Sequence, residues 1–294
     1  MQKPNFLIVG VARSGTTSIF HYLQQHPQIF FSKIKEPKFF SSYTINYPHN
    51  GPGDKEIYKR IVKTEKEYFD LFKNSEKFKA IGEASSDYFF FHKNSIPLIK
   101  KYLGNIKIII CLRNPVDRAF SAYNNLIRDS REKENFYDAL SLENQRIKKK
   151  FDWMWYYKNG GFYYEGLSAF KSNFSNVKIV FYDEFVENPM KVTNELFDFL
   201  EVFKFQPNVD TVYSSSGVPK NLFFKLLSDR TGILVKFREI IIRYFPRNLL
   251  EKISKSMFKK NELDSKSKSI LKKQYLRDII KIENLLDVDL KNWK

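Results

Sequence analysis

A glycine-rich loop near the N-terminus has the residue types that hold a tetrahedral anion. Gly10 and Gly15 in "FLIVGVARSGTTSI" have the spacing of a P-loop and let the backbone approach a ligand closely. Thr16 stands where a P-loop has its lysine, and Arg13 supplies a cation earlier in the loop. Hydroxyl groups come from Ser14, Thr16, Thr17 and Ser18. Backbone N–H groups at such a loop and at the next helix favour a phosphate or a sulfate.

The same loop lacks what nucleotide hydrolysis needs. An ATP or GTP hydrolase uses the loop lysine and a magnesium-binding aspartate after a neighbouring strand. The strand in "IKIIICLRNP" is followed by Arg113 instead. The pattern favours an anion that is transferred without a metal, with Arg13 meeting the developing charge. No H-x-x-x-H or C-x-x-C pair is present, which disfavours a zinc site, and G-x-G-x-x-G is absent, which disfavours a dinucleotide oxidoreductase.

Apolar strands alternate with helices from residue 5 to residue 200. Continuous apolar runs such as "NFLIVGV" and "KIIICL" are typical of strands buried on both faces of a parallel sheet. The alternation predicts an α/β fold, with a P-loop-like parallel sheet flanked by helices on both faces. The loop "TINYPHNGPGDKE" is expected to be a surface excursion because it is rich in Pro, Gly and Asn. The aromatic segment "DWMWYYKNGGFYYEG" is expected to lie mostly in the core, with stacking on a sugar or purine as the alternative.

The C-terminal part is predicted to be a helical layer. We expect one domain over residues 1–294, made of an α/β nucleotide-binding core at 5–200 and a basic helical layer at 215–294. No convincing strand signal follows Ser214. The predicted amphipathic helices are "KNLFFKLLSDR", "ILVKFREIIIRYF", "NLLEKISKSMF" and "ILKKQYLRDIIKIENLL".

Charge and composition limit the partners. The net charge is +17, and residues 217–281 hold 17 Lys/Arg against six Asp/Glu. Such a surface attracts an anionic nucleotide, an acidic polymer, nucleic acid or anionic lipid. No apolar run reaches about 18 residues, and the N-terminus does not have the form of a signal peptide. We therefore expect a cytoplasmic protein, with membrane association through the basic C-terminal helices as an alternative.

Several segments together resemble a known family. The segments "VGVARSGTTSI", "KEPKFF" and "CLRNPVDRAFSAY" follow in the order found in sulfotransferases that use 3′-phosphoadenylyl sulfate. The chain is most similar to the Golgi heparan-sulfate type and its bacterial relatives. The resemblance implies 3′-phosphoadenylyl sulfate (PAPS) as donor, adenosine 3′,5′-bisphosphate (PAP) as product and no metal. It also implies an acceptor hydroxyl, on a carbohydrate or a glycolipid, and no nucleic-acid partner.

The resemblance also assigns roles to individual residues. Glu36 is implied to be the catalytic base, and Arg13 to act on the bridging oxygen where the family usually has lysine. Arg113 and Ser121 are implied to bind the 3′-phosphate. Glycosaminoglycan enzymes tend to have a lysine near the position of Ala84, which this chain lacks. The remaining cofactor-binding residues implied are Ser14, Gly15, Thr16, Thr17 and Ser18 at the 5′ end, with Gly217 and Lys220 in "SSSGVPKN" as candidates for a C-terminal nucleotide loop.

Each site residue also has an alternative interpretation. "IKEPKFF" could be only a charged turn in which Glu36 pairs with Lys33 or Lys35. A histidine is the other candidate base, as in sulfotransferases of small molecules, and His49 and His92 are the candidates. Arg113 could pair with Asp117 at the start of a helix. Arg118 is a weaker candidate for the phosphate site, and a pair with Asp117 or Glu83 is an equally open alternative.

Two other functional classes fit part of the sequence. A P-loop kinase of a small metabolite would bind ATP with magnesium, but the loop lysine and the metal-binding carboxylate are missing. A non-enzymatic nucleic-acid or membrane-surface binder would use the basic C-terminal part. It would bind DNA or anionic vesicles in a salt-sensitive way and would not prefer a 3′-phosphorylated nucleotide.

Overall fold

Five parallel strands form the central sheet of the protein. The structure, a computed structural model, describes residues 2–210 and 261–294, and the backbone of 218–219 and 258–259. The strand order is β2-β3-β1-β4-β5, and every neighbouring pair is parallel. The predicted parallel sheet is therefore confirmed. The strands are β1 Phe6–Gly10, β2 Ile29–Phe31, β3 Ala80–Ala84, β4 Lys107–Leu112 and β5 Val177–Phe181.

Helices follow most strands and cover the sheet. The longer ones are α1 Thr16–Gln24, α5 His92–Leu103, α6 Pro115–Arg128, α9 Tyr164–Asn173, α11 Pro189–Phe199 and α12 Ser265–Leu286. The short ones are α2 Phe39–Ser42, α3 Asp54–Tyr58, α4 Glu65–Asp70, α7 Phe136–Ser141, α8 Glu143–Lys148 and α10 Tyr182–Glu187. Single 3₁₀ turns lie at Trp153–Trp155, Asn159–Gly161 and Lys291–Trp293.

The sheet divides the core into two layers. Successive side chains of a strand point to opposite faces. In β1, Phe6 and Ile8 therefore face α1 and α11, whereas Leu7 and Val9 face the layer that contains α5, α6, α9 and α12. All four side chains are fully buried. Apolar side chains on both faces explain why the strand sequence is continuously hydrophobic.

The glycine-rich loop after β1 and the "LRNP" segment after β4 leave the sheet side by side. β1 and β4 are adjacent strands, but α1 follows β1 on one face and α6 follows β4 on the other. Connections that leave in opposite directions open a crevice at the carboxyl ends of the strands, where ligands bind in α/β proteins. The glycine-rich loop and the "LRNP" segment both border this crevice.

The structure corrects two of the sequence-based expectations. Beyond residue 214, Val218–Pro219 (β6) and Phe258–Lys259 (β7) pair as short antiparallel strands, which are too brief to leave a periodic signal. The loop at 44–56 is not wholly a surface excursion, because Asp54 is fully buried and accepts hydrogen bonds from the amides of Gly51 and Asp152.

The C-terminal layer is described only in part. The last of the four predicted helices is confirmed as α12, whose apolar positions lie against α9 and α6. The other three predicted helices lie outside the described residues, so the division at 200 and 215 remains a prediction. Within 2–210 and 261–294, no helix is both long and apolar enough to cross a membrane.

One buried carboxyl group makes stability depend on pH. Glu83 on β3 is fully buried, and the Tyr68 and Tyr88 hydroxyls both donate to its Oε2 at 3.0 Å. Burial outweighs these hydrogen bonds and raises the pKa of Glu83 from 4.5 to about 8. The folded protein therefore keeps a proton that the unfolded chain loses between these values, so stability falls as pH rises through this range.

We predict that Glu83→Gln flattens this part of the stability–pH curve. The amide oxygen still accepts from both tyrosines, and no proton is left to lose. The free energy of unfolding of the native chain should fall by at most about 1.4 kcal/mol per pH unit because of this group. Urea unfolding from pH 5 to pH 8 measures the slope, and Glu76→Gln, which changes an exposed carboxylate, is the control. Equal slopes for Glu83→Gln and the native chain would contradict the assignment.

Candidate active site

The glycine-rich loop leaves the start of α1 open. Gly15 is the N-cap residue of α1, with φ 84°, and no side chain caps the helix. At Gly10, φ is 147°, and a Cβ there would lie 2.8 Å from Phe89 Cβ and 2.9 Å from the Ser86 carbonyl oxygen. Only glycine combines this backbone with such close neighbours. The first-turn amides and the helix dipole thus favour an anion at this end of α1, and the anion site itself stays a prediction.

The hydroxyl residues of the loop are largely inside. Ser14 is fully buried, and its Oγ has no hydrogen-bond partner. Thr16 and Ser18 are buried as well, and Thr17 is half-buried. A buried hydroxyl without a partner is costly, so Ser14 Oγ is suited to donate to a bound anion.

The Arg13 side chain reaches across the crevice to α6. Its Nε donates to Ser121 Oγ at 3.2 Å, and its Nη1 donates to Asn125 Oδ1 at 3.1 Å. Arg113 reaches back, donating from Nη1 to the Arg13 carbonyl oxygen at 3.1 Å, and stacks over the Tyr182 ring at 4.4 Å. The structure therefore brings Arg13 close to Arg113 and Ser121, which follow it by 100 and 108 residues. The alternative Arg113–Asp117 cap is not formed, since Asn114 caps α6 by accepting from the Val116 amide.

Positive charge is concentrated in this crevice. The pKa of Arg13 is lowered from 12.5 to about 10 by burial and by the charges of Arg128 and Arg113, with a small opposing effect of Asp129. Several guanidinium groups that repel one another across a partly buried space are stabilised by a bound polyanion. The electrostatics thus agree with the geometry of the loop.

Arg118 has a structural task that the sequence does not reveal. It is fully buried, and the alternative pair with Asp117 or Glu83 is not formed. Instead its Nε donates to the Ala12 carbonyl oxygen at 3.3 Å, and its Nη1 donates to the Tyr157 carbonyl oxygen at 3.1 Å. Arg118 therefore ties the glycine-rich loop to the aromatic segment behind α6. Contacts to backbone carbonyls leave no pattern in side-chain spacing, so this role could not be predicted.

Glu36 lies on a tight turn beside β3. Its amide donates to the Ala84 carbonyl oxygen at 2.9 Å, and its φ is 60°. Its Oε1 accepts from Ser86 Oγ at 2.9 Å and from Lys35 Nζ at 3.2 Å, and its Oε2 lies 3.8 Å from Lys38 Nζ. Burial would raise the pKa of Glu36, but Lys35, Lys38 and the Ser86 hydroxyl together hold it below 4.5. The carboxylate is ionised at neutral pH and can accept a proton.

Ser86 connects this turn to the glycine-rich loop. Its hydroxyl donates to Glu36. Its carbonyl oxygen lies so close to Gly10 that a Cβ added there would be only 2.9 Å away. Ser86 is thus the one residue that lies between the Glu36 carboxylate and the glycine-rich loop. The pair with Lys35 that the alternative interpretation expected is present as well, so the ion pair and the site position coexist.

Lys38 and Asp87 extend the site beyond the residues identified from the sequence. Lys38 Nζ lies 3.8 Å from Glu36 Oε2 and 3.8 Å from Asp87 Oδ2. Both Lys38 and Asp87 are buried, and the Ser41 hydroxyl donates to Asp87 Oδ2 at 2.7 Å. Burial would lower the pKa of Lys38, but Asp87 and Glu36 raise it, so the ammonium group stays charged. "KEPKFF" shows Lys38 close to Glu36 in sequence, whereas Asp87 is brought in only by the fold.

The histidines are unequal as candidate bases. His92 Nδ1 bonds to the Phe89 carbonyl oxygen at 3.3 Å, and its charged neighbours are Lys93 and Glu165. His49 is closer to the Glu36 turn, since its Nε2 lies 3.8 Å from Asp152 Oδ2. The charge of Asp152 raises the pKa of Lys38, which in turn lies beside Glu36. Neither ring is hydrogen-bonded to Glu36.

Three further features that the sequence analysis considered are a C-terminal nucleotide loop, a metal site and the aromatic segment. Gly217 and Lys220, the candidates for a C-terminal nucleotide loop, lie outside the described residues. In the described ranges 2–210 and 261–294, no three His, Cys, Asp or Glu side chains gather in a way that could hold a metal ion. Most of the aromatic segment at 152–166 lies in the core, since Trp153, Trp155 and Tyr157 are buried, whereas Phe162 is exposed.

Comparisons with known proteins place the chain among sulfotransferases. Residues 4–207 match the model of a family described as the Sulfotransferase family. A solved sulfotransferase from Alicyclobacillus acidocaldarius is 29% identical, with a TM-score of 0.80 over 100% of this chain and 99% of the other. That similarity covers the entire fold.

Curated relatives match over shorter stretches. Membrane-associated sulfotransferase kil1 of Dictyostelium discoideum is 34% identical over 120 residues, 41% of this chain and 22% of that protein. Human carbohydrate sulfotransferase 15 is 26% identical over 172 residues, 47% of this chain and 30% of that protein. The chain thus spans less than a third of the length of these relatives.

Proposed function

This chain belongs to the sulfotransferase family, and we propose that it transfers a sulfuryl group from PAPS to an acceptor hydroxyl on a carbohydrate or a glycolipid. The supporting observation is that Arg13 contacts Ser121 and Arg113 contacts the Arg13 carbonyl oxygen, next to the loop that leads into the uncapped N-terminus of α1. The donor carries anionic groups at both its 5′ and 3′ ends. A crevice with an amide loop at one side and guanidinium groups at the other suits such a ligand.

The proposed donor contacts divide between two elements. The amides and hydroxyls of residues 14–18 hold the 5′-phosphosulfate at the N-terminus of α1. Arg113, at the end of β4, and Ser121, on α6, hold the 3′-phosphate, with the guanidinium group of Arg113 already fixed over Tyr182. Arg gives directional bonds to phosphate oxygens, and Ser adds a neutral donor.

Arg13 is the residue proposed to stabilise the leaving phosphate in the transfer step. In the structure its guanidinium group bonds to Ser121 and Asn125, so it must rotate toward the 5′ side to meet the bridging oxygen. An arginine is normally a poor proton donor because its pKa exceeds 12. Burial and the neighbouring arginines lower the pKa of Arg13 to about 10 in the free protein, which still leaves the group charged at neutral pH, and a bound anion would oppose this shift. Arg13 can therefore stabilise the leaving phosphate as a cation and donate a hydrogen bond to it.

Glu36 is the proposed general base. The acceptor oxygen attacks the sulfur as the bond from sulfur to the bridging oxygen breaks, and the hydroxyl proton passes to Glu36. The low pKa of Glu36 keeps it ready to accept that proton at neutral pH. Lys38 then holds the carboxylate in place between itself and Lys35.

The acceptor class rests on the relatives. One curated relative is named a carbohydrate sulfotransferase, and another is named membrane-associated. A carbohydrate or glycolipid acceptor agrees with both names. A cytoplasmic location, and peripheral membrane contact through the basic C-terminal part, belong to the same proposal.

A thermal melt with two ligands distinguishes this function from its rivals. PAP at 100 times its Kd should stabilise the protein by about 2.7 kcal/mol, because only the native state binds it. ATP with magnesium should give a smaller shift. A shift with ATP–magnesium alone would indicate a P-loop kinase instead. Equal shifts with DNA and with PAP that both vanish as salt rises would indicate a non-enzymatic anion binder.

A second prediction concerns the base. Glu36→Gln should lower kcat by about 100-fold or more while leaving PAP affinity unchanged, because the amide cannot take the proton. For the native enzyme, the rate should be level between about pH 6 and 9, since Glu36 ionises below that range and Arg13 above it.

Initial rates of PAP release across this pH range measure both effects. Glu56→Gln, a change of an exposed carboxylate on α3, is the matched control and should leave the rate unchanged. A rate that rises with pH through about 6.5, together with an active Glu36→Gln, would move the base to a histidine.

A further inference from the structure

Five buried polar atoms without hydrogen-bond partners lie around Lys38. They are Tyr47 Oη, His49 Nε2, Asp87 Oδ1, Asp152 Oδ2 and Trp153 Nε1. Buried polar groups in native proteins almost always have partners, so each exception requires an explanation. Five such atoms in one place indicate a site built for a ligand.

Contacts show that these groups are neighbours. Lys38 Nζ lies 3.8 Å from Asp87 Oδ2 and 5.9 Å from the centre of the Trp153 ring. His49 Nε2 lies 3.8 Å from Asp152 Oδ2, and the Tyr47 and His49 rings are 4.5 Å apart. Asp87, Glu36, Asp152 and Tyr47 all raise the pKa of Lys38, against the effect of its burial. The cluster therefore extends from the Glu36 carboxylate to the loop at 43–50.

Burial makes the unpartnered atoms significant. Asp87 and Asp152 are fully buried, and Trp153 is 2% exposed. The Trp153 ring stacks on Phe90, at 5.3 Å between ring centres, and its Nε1 has no hydrogen-bond partner. Tyr47 and His49 come from a surface loop, of the kind that can yield to an entering ligand.

The chemistry of the atoms selects one kind of ligand. Tyr47 Oη and Trp153 Nε1 donate, whereas Asp87 Oδ1 and Asp152 Oδ2 only accept when ionised. A sulfate or carboxylate on the acceptor could satisfy the donors and would be attracted by Lys38, but Asp87, Asp152 and Glu36 together outweigh that one cation and would repel it. An ammonium group could satisfy the aspartates but not the donors. A hydroxyl group both donates and accepts, so several neighbouring hydroxyls satisfy the whole set.

We propose that Tyr47, His49, Asp87, Asp152 and Trp153 form an acceptor subsite for an uncharged polyhydroxylated group, such as a neutral sugar ring. This inference rests on the proposed transfer to a hydroxyl and makes the acceptor class more specific. One hydroxyl of the ring lies at Glu36 for transfer, and its neighbours bond to the unpartnered atoms. The subsite is locally acidic although the chain carries a net charge of +17, so a polyanionic glycan is disfavoured there.

Tyr47→Phe gives the sharpest test because it removes one unpartnered hydroxyl and little else. Removing such a group should leave the melting temperature unchanged or raise it. If the hydroxyl binds the acceptor, the KM for hexyl β-glucoside should rise roughly three- to tenfold, with PAP affinity unchanged. Tyr43→Phe changes a 57% exposed tyrosine of the same loop and is the matched control. An unchanged KM in Tyr47→Phe would overturn the subsite.

A charge test uses matched acceptors. Hexyl β-glucoside should be sulfated in preference to hexyl β-glucuronide, which adds a carboxylate, and to 1-hexanol, which lacks the further hydroxyls. Asp152→Asn keeps the oxygen that accepts from the Met154 amide and removes the charge. It should narrow the preference for glucoside over glucuronide. A native enzyme that prefers the glucuronide would overturn the inference.

Direct binding separates the failure of the subsite from that of the proposed function. Saturation-transfer NMR with hexyl β-glucoside needs no donor nucleotide. Glucoside binding that Tyr47→Phe weakens would support the subsite even if PAP did not bind and the sulfotransferase proposal failed. Binding of PAP and transfer from PAPS, with no glucoside binding in the native chain, would overturn the subsite and leave the sulfotransferase proposal standing.

Discussion

The site depends on positive charge held beside an uncapped helix. Arg13 and Arg113 meet in the crevice between β1 and β4, and Arg128 adds to the field that lowers the pKa of Arg13. Guanidinium groups that repel one another in a partly buried space are stabilised when an anion joins them. The open amides at the start of α1 point to the same ligand. The fold supplies this arrangement because adjacent strands send their following helices to opposite faces of the sheet.

The opposite side of the site is organised around a carboxylate. Glu36 and Lys38 lie in the segment after β2, Asp87 lies just after β3, and Lys38 lies 3.8 Å from each of the two acids. This arrangement keeps Glu36 ionised although its surroundings are partly buried. Cations therefore lie on the side of the proposed donor, and a proton acceptor lies on the side of the proposed acceptor. Arg13, Glu36 and Lys38 all have positive φ, an unfavourable backbone conformation of a kind often found at functional sites.

The sequence predicts one part of this arrangement and not the other. β1, its glycine-rich loop, α1 and the β4–α6 segment follow from continuous apolar runs and from glycine and proline at fixed positions, and the structure confirms these elements. The grouping of Arg13 with Ser121 could be expected only from the family resemblance, because the two residues are distant in the chain. The contacts of Arg118 go to backbone carbonyl oxygens, which have no signature in side-chain spacing. The acidic cluster around Asp87 and Asp152 joins segments that no local pattern connects.

The affinity difference between PAP and adenosine 5′-monophosphate tests the central claim most directly, because these nucleotides differ only in the 3′-phosphate. Titration calorimetry should show that the native chain binds PAP much more tightly. In the double variant Arg113→Ala with Ser121→Ala, that preference should be lost while affinity for the monophosphate is nearly retained. Equal losses of affinity for both nucleotides would contradict the assignment of Arg113 and Ser121 to the 3′-phosphate. No preference for PAP in the native chain would contradict the proposed donor itself.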